Sequence, residues 1–250
     1  MSSFLKAVLV VSFLLLAPML SVASPIVFET EDGIEISADI EHPEAGTEPR
    51  PAVIFIHQGG QDKSEWIRTD LYRHVVQSGM VALAYDVRGH GASGGQGGRA
   101  LFDDPDRAPK DLEAALAYLV VQDNVDPARI AIVGSSIGAN LAFVGLSRPD
   151  IEIRTAVAIS GKTSAWVNLA GGPDAITVPS SAYLIASEKE QGGLRAVWAR
   201  EMYEASAEPR QLEIVQGSGA HGTDIVETSP ELQSRILDWL STHLLVSDRG

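Results

Sequence analysis

The pentapeptide Gly134-Ser135-Ser136-Ile137-Gly138 sets a serine between small residues at a point where the chain changes character. The apolar run Ile130-Ala131-Ile132-Val133 leads into it, and the helix-like stretch Ala139 to Val144 leads out. A G-x-S-x-G flanked in this way predicts a sharp strand-to-helix turn with the serine at its tip. Ser136 then stands at a helix N-terminus, where unpaired N–H groups and the helix dipole favour developing negative charge. Such a hydroxyl suits a nucleophile, provided that a base, an acid to orient the base and amide donors for an oxyanion converge on it.

Those groups should follow strands, because an open parallel sheet gathers its chemistry at the carboxyl ends. Of the six histidines, His221 lies in the small-residue loop Gly217 to Thr223, just past the last apolar run, and is the candidate general base. His42, His74 and His243 are poorly placed to reach Ser136. Ser187-Glu188-Lys189-Glu190 follows another strand, and Glu190 is the expected acid because it sits further round the turn; Glu188 and then Asp224 are the reserves. Ile137, the residue after the nucleophile, should give one oxyanion N–H. A second should come from His57-Gln58-Gly59-Gly60, from either Gln58 or Gly59.

Other chemistries find little support. No H-E-x-x-H or similar cluster is present, and with no cysteine there is no thiolate for zinc, so no metal is expected. Gly89-His90-Gly91-Ala92-Ser93-Gly94 matches G-x-G-x-x-G, but more glycines and two prolines follow where a helix should open. A dinucleotide fingerprint requires that helix, so no cofactor is expected.

The elements that must position these groups are legible as alternating runs. Ile34 to Ile40 alternates with period two, as a half-solvated strand near a sheet edge does. Ala52–Ile56, Val81–Tyr85, Ile130–Val133, Ala156–Ile159 and Ala182–Ala186 are continuously apolar, which marks strands buried on both faces; Leu212–Val215 is weaker. Between them fall helical patterns at Leu71/Val75/Val76, Leu112/Ala115/Leu116/Leu119, the stretch after Ser136 and Leu194–Ala205. A last helix should open at Ser229-Pro230. The fold class that follows is α/β: a mostly parallel central sheet with helices on both faces, in one domain.

At 250 residues and 45% hydrophobic, the chain can bury a sizeable core. Lys6, the apolar run Ala7 to Leu16 and Ser21-Val22-Ala23 predict a signal peptide over residues 1–23, leaving residues 24–250 as one exported domain, periplasmic or secreted. Lys6 is the only charge in that segment, so its loss takes the formal charge from −14 to −15. So acidic a surface argues against nucleic acid and anionic membranes, both of which need basic patches. Oligomeric state is left open.

Taken together, His57-Gln58-Gly59-Gly60, Asp86-Val87-Arg88-Gly89-His90-Gly91-Ala92-Ser93, the elbow at Ser136 and the His221 loop resemble the α/β-hydrolase superfamily, nearest its dienelactone hydrolase-like and small serine esterase branches. The resemblance covers about Ile34 to Leu245 and implies the α/β-hydrolase fold, with Arg88 and His90 structural. It implies a serine hydrolase acting on a small-molecule acyl substrate, with Ser136, His221 and Glu190 as the triad. Three departures stand out: Gln58 replaces the usual glycine, the acid is glutamate rather than aspartate, and the cysteine of a true dienelactone hydrolase is absent. The interval from Ile159 to Ala182 is too short for a sizeable cap domain, so an open site is expected, with Trp166 on its rim. Carboxylic ester hydrolysis leads. Peptidase, amidase or thioesterase activity on the same machinery, or a non-catalytic binding role, are the alternatives.

Overall fold

A computed structural model describes residues 23–44 and 48–245. Nearly all of the expected signal peptide lies outside those residues. In chain order the elements are β1 Ser24–Glu29, β2 Glu35–Glu41, β3 Arg50–Ile56, α1 Ser64–Ile67, α2 Asp70–Gln77, β4 Val81–Tyr85, α3 Ala100–Asp103 and α4 Ala108–Val120. They continue with β5 Val125–Ser135, α5 Ile137–Ser147, β6 Thr155–Ile159, α6 Thr163–Leu169, β7 Ser180–Ser187, α7 Leu194–Glu204, β8 Ala207–Val215, α8 Thr223–Glu227 and α9 Pro230–Leu244.

The eight strands form one sheet in the order β1-β2-β4-β3-β5-β6-β7-β8. β2 runs antiparallel to both of its neighbours, and every other pair is parallel. Period-two alternation splits each inner strand between two cores. Ala52, Ile54 and Ile56 of β3 join Leu112, Leu141 and Met202 under α4, α5 and α7. Val53 and Phe55 join Trp66, Val75, Ile236 and Leu240 under α1, α2 and α9. With both faces covered, the inner strands read as unbroken apolar runs.

β1 extends the sheet beyond the strands that the sequence makes visible. Its side chains are mostly exposed, so it has no apolar run to betray it. Between β6 and β7 the chain holds only α6 and a short 3-10 turn at Pro173–Ala175, and among the described residues no large cap covers the carboxyl ends of the strands. α9 opens as its sequence requires: the Ser229 hydroxyl accepts the Leu232 N–H at 3.3 Å, with Pro230 next.

The Asp86–Ser93 stretch is a structural clasp. The Asp86 carboxylate accepts the Lys63 and Ala92 N–H groups and the Lys63 ammonium, at 2.7, 2.9 and 3.0 Å. Arg88 is buried between two carboxylates: its Nε meets Asp111 Oδ1 at 2.7 Å, and its two terminal nitrogens take Asp32 at 2.7 and 3.0 Å. Burial is the main cause that pushes the Asp111 carboxyl up to about 6, against the pull of Arg88.

Removing Arg88 would leave Asp111 buried without its cation. Arg88→Met is therefore expected to cost about 3–5 kcal/mol of stability. The loss should be smaller at pH 5 than at pH 8, because a protonated Asp111 needs no cation. Urea unfolding at the two pH values checks both the size and the sign.

Candidate active site

The elbow is built from glycines at their steric limit. Ser136 has φ 54° and ψ −105°, a left-handed backbone that a serine adopts only under constraint. A Cβ on Gly134 would stand 2.0 Å from the Gly138 carbonyl oxygen, and one on Gly138 would stand 2.2 Å from that of Ile56. Only glycine lets β5, α5 and β3 approach this closely. The Ser136 N–H donates to the Ile159 carbonyl at 2.8 Å, and its carbonyl accepts the Asn140 N–H at 3.2 Å. Ile137 is the first residue of α5, where N–H groups have no partner within the helix.

His221 and Glu190 are brought together. His221 Nδ1 lies 2.6 Å from Glu190 Oε1. An ionised carboxylate only accepts, so Nδ1 carries the hydrogen and Nε2 keeps its lone pair. The His221 loop lies along the end of β5. The Thr223 hydroxyl is 3.4 Å from that of Ser135, and a Cβ on Gly222 would fall 3.3 Å from Ser135 Cβ. Glu188 turns away: it is exposed and its carboxylate accepts the Gly217 N–H at 2.7 Å. Asp224 is exposed on α8.

Glu190 is buried and held from three sides. Its Oε2 accepts the Ser160 hydroxyl at 2.7 Å, and Arg195 Nε stands 3.1 Å from its Oε1. Arg195 also donates to the Ser160 carbonyl at 2.6 Å. Ser160, at φ 57°, accepts the Gly222 N–H on its hydroxyl at 3.1 Å, so one serine fixes both the acid and the backbone beside the imidazole. Neither Ser160 nor Arg195 is marked in the sequence; the only available signal is position, with Ser160 directly after β6 and Arg195 in the first turn of α7.

The loop after β3 is oriented by its histidine. His57 is fully buried. Its Nε2 accepts the Val87 N–H at 2.9 Å, so Nδ1–H donates to the Gln58 carbonyl at 2.8 Å. That carbonyl also accepts the Gln61 N–H at 3.2 Å. In a trans peptide the N–H opposes the C=O, so fixing the Gln58 carbonyl turns the Gly59 N–H the other way. Of the two candidate amides, that of Gln58 is engaged, donating to Glu65 Oε2 at 2.9 Å. Gly59 is exposed, and a Cβ there would rest 3.4 Å from Phe102 Cζ, so the Phe102 ring borders the loop. Trp166 is not on a rim. It is 4% exposed, donates to the Ser147 hydroxyl at 2.8 Å and packs edge-on against Phe143. Its indole has a core partner for both its face and its N–H, which pulls it inward.

Comparison with known proteins fits this geometry. A family model described as Hydrolase_4, serine aminopeptidase S33, matches residues 47–180, which span β3 through the elbow to the start of β7. The chain belongs to this family of serine α/β-hydrolases. An uncharacterized protein of Mycobacterium tuberculosis, Rv2307c, is 26% identical over 218 residues, covering 81% of this chain and 74% of its own. The Pyrococcus furiosus esterase Pf2001 superposes with a TM-score of 0.71 at 20% identity, over 90% of this chain and 92% of that one. Acetyl xylan esterase 1 of Thermoanaerobacterium gives a TM-score of 0.66 at 16% identity, over 90% and 84%. At such identities these two establish a shared fold. Among the described residues, no group of acidic, histidine or cysteine side chains could hold a metal ion.

Two outcomes follow for this hydrolase. Ser160→Ala removes a donor from Glu190 and an acceptor from Gly222, and should cost about 1–3 kcal/mol; thermal unfolding measures it. Burial holds the His57 imidazole down at about 4. Between about 6.5 and 4 the unfolded chain binds a proton that the folded chain refuses, so stability falls as the solution is acidified, by up to about 3 kcal/mol from this group. Nitrogen NMR should show His57 neutral and protonated on Nδ1 from pH 8 to pH 5.

Proposed function

We propose that this hydrolase cleaves carboxylic esters of small molecules through an acyl-enzyme formed on Ser136. The hydroxyl oxygen attacks the ester carbonyl while His221 Nε2 takes its proton. Glu190 holds the imidazolium that results, and the N–H groups of Ile137 and Gly59 hold the oxyanion. Collapse of the tetrahedral adduct expels the alcohol, which leaves with the proton from His221. Water then repeats the sequence on the acyl group and frees the acid and the serine.

The observation that carries this reading is the 2.6 Å pairing of His221 with a buried Glu190 beside the end of β5. A histidine held by a carboxylate through Nδ1 offers Nε2 as a base, and the strained turn offers a hydroxyl at a helix N-terminus. Two of the proteins that superpose on this chain are esterases, which favours an ester over other acyl bonds. The description of the family model as a serine aminopeptidase favours a second reading, hydrolysis of an N-terminal peptide bond with the same residues. We place the activity outside the cytoplasm after removal of residues 1–23, on the charge, apolar run and small-residue pattern of that segment.

A fluorophosphonate probe should label the folded mature protein, and Ser136→Ala should abolish labelling. Unlabelled folded protein rejects the reading. His221→Ala should lower kcat on p-nitrophenyl acyl esters by about 10²–10⁴. Faster turnover of aminoacyl p-nitroanilides than of those esters would transfer the assignment to the peptidase reading.

A further inference from the structure

Glu65 is a carboxylate with no part in the chemistry above. It lies on the one-turn helix α1 and is 2% exposed. No ion pair to its side chain forms among the described residues. What surrounds it instead is backbone and hydroxyl from two loops. Its Oε2 accepts the Gln58 N–H at 2.9 Å, next to the peptide that carries the Gly59 amide. The Thr223 hydroxyl stands close enough to favour the ionised form of the same carboxyl, and lies 3.4 Å from the Ser135 hydroxyl beside the nucleophile. Burial works against these bonds and raises the Glu65 pKa, helped by Asp224 and opposed by Arg68.

The two loops also touch directly. Gln58 Oε1 is buried without a hydrogen-bond partner, and a Cβ on Gly222 would stand 2.0 Å from it. An acceptor left in that state is costly, and it persists only where the surroundings hold it. His57 and Gln61 hold the Gln58 carbonyl, and Glu65 holds the other side of the residue through the Gln58 N–H.

We propose that Glu65 is a positioning residue whose buried carboxylate, by holding the Gln58 N–H, keeps the Gln58–Gly59 turn seated against the Gly222–Thr223 segment and so maintains the spacing between the oxyanion amide and the imidazole. This rests on the roles assigned above to Gly59 and His221. With the carboxylate in place, the Gln58 N–H has a fixed acceptor, and the Gln58 side chain stays packed against Gly222, next to Thr223. Without it, the turn after β3 and the segment after His221 lose their common reference. Misplacing an oxyanion donor by a fraction of a bond length weakens transition-state binding far more than substrate binding.

The test uses full-length mature protein and p-nitrophenyl acetate. Wild type must first turn over and be labelled at Ser136; failure there refutes the assigned function and not the role of Glu65 alone. Given an active wild type, Glu65→Gln should lower kcat by roughly 10–100-fold with KM within about threefold, a fraction of the loss on deleting an oxyanion donor. Thr223→Val keeps the shape and removes the hydroxyl, and should lower kcat in the same direction. The double variant should be no worse than the poorer single one, because both act through one unit. A folded Glu65→Gln with wild-type kcat overturns the proposal, as does strict additivity of the two losses. If Glu65→Gln fails to fold, Thr223→Val decides: wild-type kcat in that variant overturns the proposal, and a kcat-specific loss supports it.

Discussion

The geometry of the site depends on a contact that leaves no room for a single carbon atom. Gly134 and Gly138 bring β5, α5 and β3 so close that any Cβ at either position would overlap a carbonyl oxygen. That approach forces the reversal of direction within one residue and holds Ser136 in a backbone region that it would otherwise avoid. Every other group has to be measured from that fixed point. β6 ends beside it and supplies Ser160, β7 ends one strand further out and supplies Glu190, and the loop after β8 brings His221 back across both.

What joins these strand ends is a polar lattice in which several links are charged. Glu190 gathers a histidine, a hydroxyl and a guanidinium around one carboxylate, and Arg195 returns a bond to the carbonyl of Ser160. Hydrogen bonds to charged groups are stronger than neutral ones, and the low dielectric of a buried site strengthens them further. On the other side of Ser136, the neutral His57 does comparable work with a fixed tautomer, between the Val87 N–H and the Gln58 carbonyl. The clasp at Asp86 and Arg88 steadies the neighbouring loop and meets the site through the Val87 N–H on His57, while Arg88 itself bonds Asp32 and Asp111, in keeping with a structural part for Arg88.

Much of this is readable in the letters because burial on two faces writes itself as continuous apolar runs, and five inner strands carry such runs. The elbow is legible because its sterics demand glycine at two fixed positions. β1 is not legible: it is an outermost strand, mostly exposed, and Ser24-Pro25-Ile26-Val27-Phe28-Glu29 has no one-sided pattern. The opening of β8 is hidden in the same way by Glu208 and Pro209. Trp166 looks like a rim residue because an aromatic near a site can point either way, and its direction is decided by Phe143 and Ser147 on another helix. Glu188 and Glu190 differ only in where the turn sends them. That turn runs through positive φ at Gln191, Gly192 and Gly193, and only the two glycines hint at it. Ser160 and Glu65 are silent in sequence, since a loop serine and a first-turn glutamate normally face water.

The amide of Ser136 is bonded to the carbonyl of Ile159, so the residue at the elbow is itself a rung of the sheet and not a passenger on a loop. A rung cannot shift to suit a new guest without loosening the strands on either side. Over evolutionary time, then, this scaffold can change its diet only through segments that hang clear of the ladder, such as the stretch around Phe102, while the centre stays where it is.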